Sequence, residues 1–155
     1  MPENTEQLKK ARSYALLLLK YRFRSVAEFR EKLNKRGFSE GVISELAADF
    51  RKRGLLDDAK FAKMWLESRM SLRPMGKIRL IQELKAKGVS DFDIEDAIDN
   101  AKGLINENET AKALVAKRLR HLSGLDKITI RRRLAGFLGR RGFSYEAVAK
   151  ALREY

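Results

Sequence analysis

Apolar residues recur along this chain at three- and four-residue intervals and never alternate with polar ones over a useful length, so the pattern predicts helices and no sheet. The clearest stretch runs from Gly54 to Val89. Phe61, Ala62, Trp65 and Leu66 stand at i, i+1, i+4 and i+5, one continuous helical face, with Asp57 or Asp58 placed to cap its start. Pro74 and Gly76 interrupt the chain. A second helix follows with Ile78, Ile81 and Leu84 on one side, and Gly88 closes it as a residue suited to positive φ.

The pattern repeats. Leu33-Asn34-Lys35-Arg36-Gly37-Phe38-Ser39, Leu84-Lys85-Ala86-Lys87-Gly88-Val89-Ser90 and Leu138-Gly139-Arg140-Arg141-Gly142-Phe143-Ser144 superimpose, with their glycines 51 and 54 residues apart. A leucine stands four before each glycine, and Phe29, Leu80 or Leu134 stands eight before it. Ile43, Ile94 and Val148 follow six after. The physical reasons differ by position. The glycine ends one helix, the Phe or Val enters the core, and the serine caps the next helix. Reading outward predicts an all-α chain of three tandem three-helix repeats, over residues 1–53, 54–103 and 104–155. The helices are expected at Glu6–Lys20, Ser25–Arg36 and Ser39–Arg53, then Asp58–Met70, Met75–Lys87 and Ser90–Lys102, then Glu107–His121, Lys127–Arg141 and Ser144–Glu154. Ser25 with Glu28 reads as a capping box, and Asn106 as the cap of the seventh helix. Units of about 50 residues have marginal cores alone, so each is expected to lean on its neighbour.

Charge then narrows the partners. The formal net charge of +13 on 155 residues points to a polyanion: nucleic acid, a nucleic-acid complex or an anionic membrane. The surplus sits at the ends. Residues 1–53 carry 13 Lys+Arg against 7 Asp+Glu, residues 54–103 carry 9 against 9, and residues 104–155 carry 12 against 5. The two basic ends are expected to make contact while the neutral middle holds their spacing. A bilayer coat gains nothing from that division. The longest apolar run, Ala15 to Leu19, is far short of a membrane span, and Glu3 and Glu6 ahead of Lys9 and Lys10 do not resemble a signal peptide. The expectation is a soluble, cytoplasmic protein that makes no membrane contact.

Catalytic chemistry finds no foothold. Without cysteine there is neither disulfide nor thiolate metal site, and His121 is the single histidine. Asp91, Asp93, Glu95, Asp96 and Asp99 resemble half a calcium loop, but Asp96 stands where such a loop needs glycine and Lys102 where it needs glutamate. Gly76-Lys77 is not a phosphate loop, because Ser71 replaces its first glycine. Phe61 and Trp65 read as core rather than as a base-stacking platform. No cofactor and no enzyme activity are expected.

The candidate contact residues are Lys35, Arg36, Arg51, Lys52, Arg53, Arg131, Arg132, Arg133, Arg140 and Arg141. Cations in a last helical turn also complement the helix dipole, which is a sufficient local reason for Lys35-Arg36 and Arg140-Arg141. The helix at 127–141 is the sharpest case. Ile130, Leu134, Phe137 and Leu138 form its core side, while Arg132, Arg133, Gly136, Gly139 and Arg140 gather opposite. Two interior glycines cost a helix roughly 2 kcal/mol relative to alanine. They are expected to lower the surface so that a phosphate backbone or partner chain approaches between the arginines; the competing reading is that they serve close packing.

These residues carry a family resemblance. Asp57-Asp58-Ala59-Lys60-Phe61-Ala62, Trp65 and Arg69, followed by Gly76-Lys77-Ile78-Arg79, Glu83-Leu84 and Lys87-Gly88-Val89, resemble the RecX family of recombination regulators. The first unit is similar through Ala11, Leu18, Arg22, Ser25, Glu28-Phe29, Lys32-Leu33 and Gly37-Phe38, and the third through Leu134, Leu138 and Arg140-Arg141-Gly142-Phe143-Ser144. Phe29, where the family carries a smaller aliphatic residue, and Gly136 with Gly139 depart from it. The resemblance implies an extended, curved array that binds RecA and its filament on single-stranded DNA. Such a protein lies along the filament groove and lowers ATPase, strand-exchange and coprotease activity, without catalysis of its own. A monomer is expected, whose basic ends touch either DNA directly or the acidic surface of the filament. The rival reading is a stand-alone DNA-binding protein built on helix-turn-helix-like units; against it, no Asn/Gln/Arg array suits base-edge reading.

Overall fold

The computed structural model describes residues 2–155, with side chains from Asn4 onward. Among the described residues there are nine α-helices and no strand: α1 (Pro2–Tyr21), α2 (Val26–Lys35), α3 (Glu40–Lys52), α4 (Asp58–Leu72), α5 (Lys77–Ala86), α6 (Asp91–Asn100), α7 (Glu107–Leu119), α8 (Lys127–Arg140) and α9 (Tyr145–Ala151). The fold is all-α, as the spacing predicts. α1 starts earlier than the apolar periodicity reaches, and α9 stops short of Glu154. At that end the chain turns back, and the carbonyls of Leu152 and Tyr155 accept hydrogen bonds from Arg131 Nη1 at 2.6 and 2.8 Å.

The caps follow the sequence closely. Ser39, Ser90 and Ser144 accept from the backbone N–H of Val42, Asp93 and Ala147. Ser25 and Glu28 form the reciprocal capping box at the start of α2. Asp57, Asn106 and Asp126 cap α4, α7 and α8 in the same manner. The repeat glycines Gly37, Gly88 and Gly142 all have positive φ.

Each triplet of helices closes its own core. Phe29, Leu33, Ile43, Leu46 and Phe50 pack with Ala11 and Ala15; Leu66, Leu80, Leu84, Ile94 and Ile98 with Ala62; Leu134, Leu138, Ala147 and Leu152 with Ala111 and Val115. The positions four and eight before each repeat glycine are therefore buried in all three triplets. Ile78 is different. Although it shares a sequence face with Ile81 and Leu84, it is 48% exposed, and Leu80 takes the core position beside Leu84. Its backbone is engaged elsewhere, at the joint with the third triplet.

Neighbouring triplets meet through backbone and polar groups rather than through a shared apolar core. At the second joint, the carbonyls of Arg141 and Gly142, at the end of α8, accept from the N–H groups of Gly76 (2.8 Å) and Ile78 (3.1 Å) at the start of α5. At the first joint, the carbonyl of Lys87, at the end of α5, accepts from Ser25 Oγ at the start of α2 at 2.6 Å. At the second joint the orphan carbonyls of α8 thus satisfy orphan donors of α5, and at both joints the negative end of one dipole lies against the positive end of another. A second bond recurs in register. Asp58 accepts from Val26 N at 2.8 Å and Glu107 from Lys77 N at 2.9 Å, each carboxylate four residues before the buried alanine of its helix.

Candidate polyanion-binding surface

The predicted contact residues fall into two groups, and only one converges. In the first triplet, Lys35-Arg36 end α2 while Arg51, Lys52 and Arg53 end α3. Because Ser39, just after Arg36, caps the start of α3, the two clusters lie at opposite ends of a 13-residue helix, about 20 Å apart. Several of these cations already have partners. Lys35 pairs with Glu31, Arg36 lies over the Tyr14 ring at 5.1 Å, and Arg53 Nε donates to Asp49 Oδ1 at 2.9 Å. Arg51 and Lys52 remain exposed.

The third triplet gathers its charge along α8. Leu134 and Leu138 are fully buried, whereas Arg132, Arg133, Gly139 and Arg140 are exposed. Arg131, also exposed, donates from Nη1 to the carbonyls of Leu152 and Tyr155 and so ties α8 to the chain end. Nothing lies within 4 Å of a Cβ added at Gly139, and a Cβ at Gly136 would meet only the flexible Arg140 guanidinium, at 3.2 Å. Close packing within the chain therefore does not account for either glycine. The stripe is a shallow, arginine-flanked trough.

The middle triplet, expected from its sequence to be a neutral spacer, is neutral only in sum. Its charge is segregated: five carboxylates stand on α6, from Asp91 to Asp99, while Arg69, Arg73, Lys77 and Arg79 occupy an interval, Ser68 to Gln82, that contains no acid. That interval is the legible signal, and summing charge over the whole unit hides it. Arg69, Arg73 and Arg79 lie beside Arg140 and Arg141 around one small cavity. Arg141 Nη1 donates to the Pro74 carbonyl at 2.8 Å, and its guanidinium lies over the Phe137 ring at 5.2 Å. Burial, with the charges of Arg73 and Arg118, pulls the Arg141 guanidinium below the usual arginine range. Trp65 is not a free stacking surface, because Arg69 and Lys87 lie over its ring at 4.5 and 5.1 Å.

Among the described residues no cluster of His, Asp or Glu is placed to hold a metal ion, and no helix is long and apolar enough to cross a membrane. Three small helical domains in tandem, joined through their helix ends and bearing a basic stripe, define the class as an all-α helical-repeat protein.

Comparison with known proteins narrows the class. Residues 11–47, 57–98 and 106–152 match the first, second and third three-helix domains of RecX. The regulatory protein RecX of Amycolatopsis mediterranei is 36% identical, over 97% of this chain and 87% of that protein. That of Streptomyces coelicolor is 36% identical, over 96% of this chain and 79% of its own length. The crystal structure of RecX from Lactobacillus salivarius superimposes with a TM-score of 0.85 at 24% identity over 97% of each chain, a likeness of fold. The chain belongs to the RecX family, whose members are non-enzymatic regulatory proteins of DNA repair and recombination.

Proposed function

We propose that this protein binds RecA assembled on single-stranded DNA and lowers the filament's ATPase and recombinase activity. The observation that carries the reading is the basic trough on α8, where Arg132, Arg133 and Arg140 flank Gly136 and Gly139 and only the flexible Arg140 tip lies over Gly136. Family membership supplies the regulatory role, and the basic trough supplies a surface for an anionic polymer. The three triplets act as linked contact modules, and no bond is made or broken by the protein.

Co-sedimentation with RecA filaments on oligothymidylate tests the proposal. The wild-type chain is expected in the pellet. Arg132→Gln/Arg133→Gln, which leaves the core side of α8 intact, is expected to remain largely in the supernatant. Equal recovery of both proteins would contradict the role given to α8. Tight binding to one duplex sequence without RecA would favour a free-standing duplex reader instead.

A further inference from the structure

We infer that the joint between the second and third triplets is a phosphate clamp, which takes one phosphodiester of a single-stranded nucleic acid between α4–α5 and α8. Five guanidiniums from three helices border the cavity: Arg69 in the last turn of α4, Arg73 at its C-cap, Arg79 in α5, and Arg140 and Arg141 at the end of α8. Glu83 is the lone carboxylate among them, and it is already engaged. It accepts from Trp65 Nε1 at 3.1 Å and Arg69 Nε at 2.8 Å, and faces Arg79 Nε at 3.7 Å. Arg73 and Arg140 have no carboxylate partner among the described residues, and Arg141 has only a backbone carbonyl. The cavity therefore holds a large excess of positive charge drawn from two triplets, and mutual repulsion opposes the joint until an anion enters.

The donors are prepared for that anion. Arg69 is fixed between Glu83 and the Trp65 ring, and Arg141 between the Pro74 carbonyl and the Phe137 ring. Each guanidinium has five N–H donors, so both keep free forks after these contacts. Such forks match phosphate oxygens in a bidentate geometry that lysine does not reproduce. The Arg141 and Gly142 carbonyls, which would repel an anion, are turned to the N–H groups of Gly76 and Ile78. The cavity volume is about 120 Å³, room enough for a phosphate group, and its polar, guanidinium-rich lining suits an anion.

A polymer fits better than a free phosphate. The cavity lies at the end of the α8 trough, so Arg132 and Arg133 offer further cations along the same line. With the Trp65 ring covered by cations, recognition runs through the backbone and is indifferent to base. Because the clamp is shared by two triplets, binding also fastens one to the other.

The test uses the full chain without RecA, so its outcome is independent of the filament proposal. Binding of labelled oligothymidylate is followed by fluorescence anisotropy across a salt series. Arg73→Gln/Arg79→Gln is expected to lose at least tenfold in affinity. The slope of log K against log[salt] should fall by about 0.7 for the phosphate contact removed. Lys9→Gln/Lys63→Gln, which removes the same charge from exposed sites away from the cavity, should lose less than threefold. Arg73→Lys/Arg79→Lys keeps the charge without the forks and should fall between the wild type and the glutamine pair. Thermal unfolding without ligand should be unchanged or later in the glutamine pair, since repulsion is relieved. If that pair melts early, Arg140→Gln repeats the test from the α8 side. Equal losses in the arginine and lysine pairs, or an unchanged salt slope, would overturn the clamp. Saturation by inorganic phosphate that leaves oligonucleotide affinity untouched would overturn its assignment to nucleic acid.

Discussion

Two residue positions separate what holds the molecule together from what it offers to a partner. Gly136 and Gly139 lie in a 14-residue helix and touch nothing that alanine would disturb, apart from the Arg140 tip. Replacing both with alanine should stabilise the chain by about 2 kcal/mol, from helix propensity alone. The same change should weaken filament binding, because it raises the floor of the trough. Chemical denaturation and co-sedimentation read the two effects separately, and a more stable protein with undiminished binding would end that account of the glycines. Glu28 belongs to the other class. Burial pushes its carboxyl up, but hydrogen bonds and charge from Arg22 and Lys87 outweigh burial and hold it down at about 2. A depressed carboxylate stabilises the fold above its unfolded pKa, near 4.5, and loses that contribution as pH falls toward about 2. After allowance for solvent screening, the contribution is on the order of 1–2 kcal/mol. Glu28→Gln should therefore lower stability at pH 6 and leave it nearly unchanged at pH 2, as measured by urea midpoints. An equal loss at both pH values would show that the ion pairs with Arg22 and Lys87 are not its source.

Among elements, the joints decide more than the helices themselves. A Cβ at Gly142 would run into the backbone and Cβ of Arg79, and one at Gly76 would sit inside the Gly142 carbonyl. Gly142 also has φ +79°, which costs an L residue about 1–2 kcal/mol before any clash. Gly142→Ala should lower the melting temperature by far more than Gly37→Ala. Gly37 shares the positive φ, but a Cβ there meets nothing within 4 Å. Comparable losses at the two sites would mean that backbone conformation, not the joint, is what matters. The helices were legible in the sequence because capping and burial are local: Ser25, Ser39, Ser90 and Ser144 announce starts, and Leu33, Leu84 and Leu138 mark the core. The joints were not legible. Apolar periodicity assigned Ile78 to a core face, whereas its backbone N–H serves Gly142 and its side chain stays half-exposed. Nor does the spacing reveal that neighbouring triplets meet through carbonyls and carboxylates while each closes its own core. The same blindness hid Arg69, Arg73 and Arg79, which count as surface until α8 is brought against α5.

At the scale of the whole molecule, charge is arranged along the array and not merely accumulated. The first triplet's cations are dispersed and largely paired, the acids of the second collect on α6, and the arginines of the second and third meet at the joint. A protein so arranged should grip a polyanion asymmetrically, by its second and third triplets. Its affinity for a RecA filament should accordingly fall steeply as salt rises. A flat salt dependence would place the affinity in uncharged protein contacts. The most direct measurement of the central claim is the rate of RecA-catalysed, single-stranded-DNA-dependent ATP hydrolysis as this protein is titrated in. A saturable fall in that rate, relieved in Arg132→Gln/Arg133→Gln, is the predicted result. A rate that stays constant through equimolar protein would contradict it.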